Sequence, residues 1–101
     1  MSGVTHVVLV GWRGDAAESS TRADALVDEH LRGIRGVTAI DRGTSVSTEG
    51  LERDHDWGMV VRFATVADRD AYLPDPSHAV VADFLGENAA RIVVFDVAAG
   101  A

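Results

Sequence analysis

The chain has no cysteine and no lysine, only two prolines, and no apolar run longer than four residues, as in Val7–Val10. Without cysteine, disulfides and thiolate metal sites are excluded, and a reducing compartment is permitted; a cytoplasmic location is the expectation. The apolar runs are too short for a membrane-spanning helix, and no secretion signal is expected. Cations are scarce as well. Nine arginines face sixteen acidic residues, for a formal charge of −7. Nucleic acid and anionic membrane both need a cationic surface, so neither is an expected partner. Glycine-rich phosphate loops, a Gly-x-Ser-x-Gly elbow and closely spaced metal-binding histidine pairs are all missing. No metal and no cofactor are therefore expected.

What is present suits one soluble globule. The 101 residues are 47% hydrophobic and 25% charged, ordinary values for a single domain over residues 1–101. A chain of this size buries enough surface for a core without covalent staples.

The pattern along the chain alternates strand and helix. Val4–Trp12 is β-branched and apolar on both faces, so it reads as a strand covered on both sides. Asp15–Gly33 reads as a helix. Asp15 and Glu18 have capping-box spacing, and Ala23, Leu26, Val27, His30, Leu31 and Ile34 fall on one face. Gly33 and Gly36 are the expected stop. Val37–Val46 reads as a strand interrupted around Asp41–Gly43, and Ser47–Asp56 as an acidic loop. Trp57–Ala64 is a third strand, with Trp57, Met59, Val61 and Phe63 on one face. Thr65 and Asp68 cap a short helix that runs to Tyr72 or Leu73. After Pro74, Asp75 and Pro76 form the entry to another helix over Ser77–Asn88. Arg91–Ala98 is the last strand.

This order, β-α-β-β-α-β, is the α+β ferredoxin-like split unit. Helices on one side leave the other sheet face uncovered, yet the first, third and fourth strands are apolar on both faces. An open apolar sheet face would be an unusually large patch. A homodimer packed sheet on sheet is the expected resolution, forming a dimeric α/β barrel.

Chemistry-bearing residues are few. His6 lies on an apolar strand and reads either as a hydrogen-bonded core residue or as a site residue. His30 sits on the helix stripe near a C-terminus, where a cation is favoured. His55 lies between two aspartates in the loop. Tyr72 and His78 are joined by a bend stiffened by Pro74 and Pro76, which can turn both side chains toward one cavity. Near a helix N-terminus the dipole disfavours the imidazolium, leaving His78 neutral. A neutral histidine can act as general base, and a tyrosine can donate to a developing oxyanion. The same residues could instead only brace the proline turn.

The sequence resembles the stress-responsive dimeric α/β-barrel (Dabb) family along nearly its whole length. The resemblance rests on T-H-V-V-L-V, L-R-G-I-R-G-V, R-F-A-T-V-A-D-R-D-A-Y-L-P-D-P-S-H-A-V-V and the closing V-V-F-D-V. Strand, short helix, Tyr, Pro and His in that order is the most specific element. The family includes polyketide cyclases of the olivetolic acid cyclase type, which close rings by intramolecular aldol condensation without cofactor or metal. The resemblance implies acid/base roles for Tyr72 and His78, with His6 lining the same pocket. Asp75 stands where these cyclases commonly carry histidine, and Trp57 where they carry another. The pair is kept while the pocket lining differs.

The expectation is a cofactor-independent cyclase-like enzyme with His78 as base, Tyr72 as donor and His6 orienting a carbonyl. Trp12, His30, Trp57, Met59 and Phe84 are the expected ligand-contacting residues, for a small hydrophobic ligand. The alternatives are a non-catalytic stress-response or ligand-binding dimer, and a cofactor-free monooxygenase.

Overall fold

The computed structural model describes residues 3–99. Strands β1 (Val4–Trp12), β2 (Val37–Thr44), β3 (Trp57–Phe63) and β4 (Ala89–Ala98) form one antiparallel sheet in the order β2-β3-β1-β4. Helix α1 (Ala16–His30) links β1 to β2, and helices α2 (Val66–Tyr72) and α3 (Pro76–Asn88) link β3 to β4. The α+β ferredoxin-like order expected from the sequence is therefore present, with its second helical unit split in two by the proline bend.

The helix starts follow from their capping residues. Asp15 accepts from the Glu18 amide at 2.9 Å, Thr65 from the Asp68 amide at 3.1 Å, and Asp75 from the Ser77 amide at 2.8 Å. Each side chain satisfies an amide that has no partner within its helix. Helix α1 stops earlier than Gly33. Leu31 is its C-cap, and the turn that follows uses Gly36 at φ +93°. A β-carbon there would stand 2.6 Å from the Asp68 Cβ, so Gly36 is fixed by both backbone sign and space.

The core lies between the three helices and one face of the sheet. Val4, His6, Val8, Val10 and Trp12 point inward from β1, and Trp57, Met59, Val61 and Phe63 from β3. Ala23, Val27 and Leu31 close over them from α1, with Val81, Phe84 and Leu85 from α3. Spacing of four residues along α1 keeps those three on one line. His30 falls at the edge of that line and is only half-buried. Arg42 ties β2 to α1, with Nη2 2.6 Å from Asp28 and Nη1 3.5 Å from Asp24. Hydrogen bonds from Arg42 and Arg32 hold the Asp28 carboxyl down at about 2.

The opposite sheet face carries no helix. Leu9, Val93, Phe95 and Val97 lie on it, and Phe95 is 64% exposed. Strand β4 pairs only with β1, so its outer edge is open. Among the described residues, no helix is long and apolar enough to cross a membrane.

Candidate functional site

The sheet register decides which polar groups meet. His6 on β1 lies opposite Asp96 on β4 and Val61 on β3. Asp96 is the inward residue after Ile92 and Val94. Its Oδ1 is 2.5 Å from His6 Nδ1, and its Oδ2 accepts from Arg69 Nη1 at 2.5 Å. Arg69 reaches in from α2, where its Nε also donates to Asp70 at 2.9 Å. A charged chain thus ends on a buried imidazole. Burial pushes the Asp96 carboxyl up, but bonds from His6 and Arg69 outweigh it and the carboxyl sits below its ordinary value.

The bend between α2 and α3 supplies the other two groups. Its Asp75 amide donates to the Tyr72 carbonyl at 3.1 Å. His78, one turn into α3, donates from Nδ1 to the Leu73 carbonyl at 2.9 Å. In the neutral ring this bond places the proton on Nδ1 and leaves Nε2 with a lone pair. Burial lowers the His78 pKa below its ordinary 6.5, although the bond to Leu73 opposes the shift. The Tyr72 ring lies 4.5 Å from the His78 ring and 5.9 Å from the His6 ring, with Phe63 4.9 Å away. Tyr72 is fully buried, and its hydroxyl has no partner among the described residues. Burial raises the hydroxyl pKa above its ordinary 10.

His6 and His78 line a cavity of about 230 Å³ between α3 and the sheet. Val8, Met59, Val81, Leu85, Ile92 and Val94 supply most of its apolar wall. Tyr72 stands behind the two histidines rather than on the wall. The cavity opens past Ile92 and Val94, which are 44% and 57% exposed.

Of the residues singled out in the sequence, the structure gathers His6, Tyr72, His78 and Met59 here. It does not bring the others. Trp12 lies about 20 Å further along β1, at roughly 3.3 Å per residue. Its indole nitrogen donates to Ser20 at 3.0 Å. Phe84 stacks 5.8 Å from Trp12, with the Arg22 guanidinium 4.8 Å over its ring. Trp57 donates to Asp24 at 2.9 Å. These indoles need a polar partner when buried, and α1 offers one at that end. His30 is near Glu29, at 3.8 Å.

A second hollow, of about 610 Å³, lies over Leu9, Gly58 and Val60 on the uncovered face, beside the loop that carries His55. Gly43 and Gly58 pair there, so no side chains fill it. It contains none of His6, Tyr72 and His78, which makes the smaller cavity the candidate site despite its size. Among the described residues, no three His, Cys, Asp or Glu side chains are grouped to hold a metal ion.

Sequence reading missed Asp96 and Arg69. The available signal was the strand pattern, in which Asp96 takes an inward position among valines and isoleucine, as His6 does on β1.

The model of the Dabb family, the stress responsive A/B barrel domain, matches residues 4–99. The chain belongs to this family. No curated protein sequence matches it. Among solved structures, a dimeric ferredoxin-like protein of unknown function from Jannaschia sp. CCS1 is 23% identical. It superposes with a TM-score of 0.82, over 94% of this chain and 97% of that one. A dimeric ferredoxin-like protein of unknown function from Thermobifida fusca gives 0.83 at 15% identity, over 96% and 91%. The hydroxynitrile lyase from Passiflora edulis gives 0.83 at 16% identity, over 97% and 94%. At these identities the likeness is one of fold, and this Dabb chain shares it over nearly its whole length.

Two titrations check the site. Tyr72 is the single tyrosine, so phenolate absorbance reads it alone; none is expected near pH 10, and onset is expected only well above. For His78 the unfolded chain takes the proton first, so stability falls as pH drops from 6.5 through the folded value. Denaturant unfolding between about pH 7 and about pH 5 is expected to show a shallower pH dependence in His78→Asn than in the wild type.

Proposed function

We propose that this Dabb protein is a cofactor-independent acid/base catalyst that closes a ring in a polyketide-like carbonyl compound by intramolecular aldol condensation. The observation that carries the reading is the Tyr72 hydroxyl, buried beside His78 with no partner among the described residues. A buried donor left unpartnered costs about 1–3 kcal/mol. The hydroxyl stands behind the two histidines, and a substrate oxygen would satisfy it where a shift of their rings opens a path from the cavity.

The steps follow from the geometry. His78 Nε2 takes a proton from the carbon between two carbonyl groups, because Nδ1 is already committed to Leu73. The resulting enolate carbon attacks a third carbonyl of the same molecule. The C–C bond forms as that carbonyl's π electrons move onto its oxygen. The Tyr72 hydroxyl donates to the developing alkoxide, and the proton held by His78 returns to it. Loss of water from the cyclic aldol then gives the conjugated enone. His6, fixed by Asp96, orients one carbonyl in its enol form, whose hydroxyl donates to the Nε2 lone pair. Holding a flexible chain folded in the cavity adds proximity. A fold neighbour named as a lyase, from Passiflora edulis, supports reading this scaffold as one that can host catalysis.

The test is turnover of a linear triketone in which the carbon between two carbonyls reaches the third and closes to a 2-acylcyclohexenone, followed by ultraviolet absorbance. Tyr72→Phe and His78→Ala are each expected to lower kcat by about 10²–10⁴ while the fold is kept. Full activity in both variants would sink the assignment of Tyr72 and His78, and no wild-type turnover of such triketones would favour a non-catalytic ligand-binding protein.

The working unit in this reading is a homodimer joined through the uncovered sheet face. Support comes from the exposed Leu9, Val93, Phe95 and Val97 and from fold neighbours described as dimeric. The ridge of β4 on one copy has a hollow to enter over Gly43 and Gly58 of the other. Phe95→Asp is expected to convert the dimer to monomer in sedimentation at micromolar concentration. A wild-type monomer under the same conditions would refute the assembly.

A further inference from the structure

We propose that the cavity selects an uncharged carbonyl compound about one ring in size, and that the Arg69–Asp96–His6 chain sets this selectivity. The carbonyl part rests on the function proposed above; the size and charge parts rest on the cavity itself.

Size comes first. An apolar cavity of about 150 Å³ accepts benzene, and sites for drug-sized ligands run about 300–1,000 Å³. At about 230 Å³ this one suits a single ring with a short substituent. A larger polycycle would have to project between Ile92 and Val94 into solvent.

Charge comes second. The wall is almost wholly apolar, and its polar groups are the two imidazoles. Behind it, Asp96 and Arg69 are paired with each other, and Asp75 stands near His78. Asp96 uses its remaining oxygen on His6, and Arg69 directs Nε at Asp70. No arginine lines the cavity to meet a ligand anion. Taking an unpaired carboxylate into an apolar wall is costly. Asp96 also fixes which His6 nitrogen faces outward. In the neutral ring, Nδ1 donates to the carboxylate and Nε2 keeps a lone pair. Both imidazoles then turn acceptors toward the cavity, which suits an uncharged ligand, above all one with an enol or hydroxyl to donate, and disfavours a carboxylate of the same shape.

The probes are acetophenone, benzoate of nearly the same size, and acetylanthracene. Binding to the intact protein is followed through the His6 and His78 ring resonances by NMR. Acetophenone is expected to bind at least about tenfold more tightly than benzoate, given the cost of an unpaired buried carboxylate. Acetylanthracene is expected not to compete with it. Asp96→Asn releases Arg69 from one carboxylate and should narrow the preference about tenfold, whereas Asp83→Asn, an exposed change of equal charge on α3, should leave it unchanged. Arg69→Gln leaves Asp96 unbalanced and should widen it, and this variant serves if Asp96→Asn does not fold. Equal affinity for acetophenone and benzoate, binding of neither, or a preference indifferent to both substitutions would overturn the proposal. Acetophenone binding without triketone turnover would sink the cyclase reading alone. Turnover with charge-blind binding would sink this one alone.

Discussion

Three helices cover one face of a four-stranded sheet, and the rest of the molecule is arranged around that imbalance. On the covered face the inward residues of β1 and β3 are packed by α1 and α3 and become solid core. On the other face the same strands show Leu9, Val60 and the β4 ridge to solvent. Helical cover also runs short over β4, where even the inward Ile92 and Val94 are largely exposed. The cavity forms at that shortfall. It is a place where sheet extends beyond helix, with His6 and His78 at its floor and rim.

A bend of three residues, Leu73 to Asp75, gives the site its geometry. Proline at the start of α3 sets the backbone for a new helix, and Asp75 caps it. His78 then turns back on the end of α2 and takes the Leu73 carbonyl, which α2 itself does not use. One hydrogen bond thereby joins two helices, chooses a tautomer, and stacks the imidazole on Tyr72. Structural and chemical roles for His78 are therefore not exclusive. The bond that braces the turn is the one that frees the other nitrogen.

Much of this was legible in the residues, because its causes are local. Capping by Asp15, Thr65 and Asp75 and the proline pair mark element ends within a few positions. Alternation marks the inward faces of β1 and β3. Tyr72 and His78 are near in sequence, so their meeting could be anticipated. The contact of His6 with Asp96 spans ninety positions and depends on strand register, which no local pattern carries. The aromatic residues Trp12, Trp57 and Phe84 misled for a related reason. Hydrophobicity told that they were buried, but the polar needs of the indoles, met by Ser20 and Asp24, told where. His30 misled through helix geometry, since a stripe read loosely at three and four residues admits a position that four-residue spacing from Ala23 leaves at the margin.

Strand β4 puts the two sides of the molecule one residue apart. Ile92 and Val94 line the cavity with Asp96 on the same inward side, and Val93, Phe95 and Val97 face outward. Because side chains alternate strictly along a strand, adjacent codons serve different surfaces. Drift at one parity can retune what the pocket holds while the outward ridge stays constant, and the reverse holds equally. A lineage carrying this strand can diversify its chemistry and its associations separately, within a stretch of six residues.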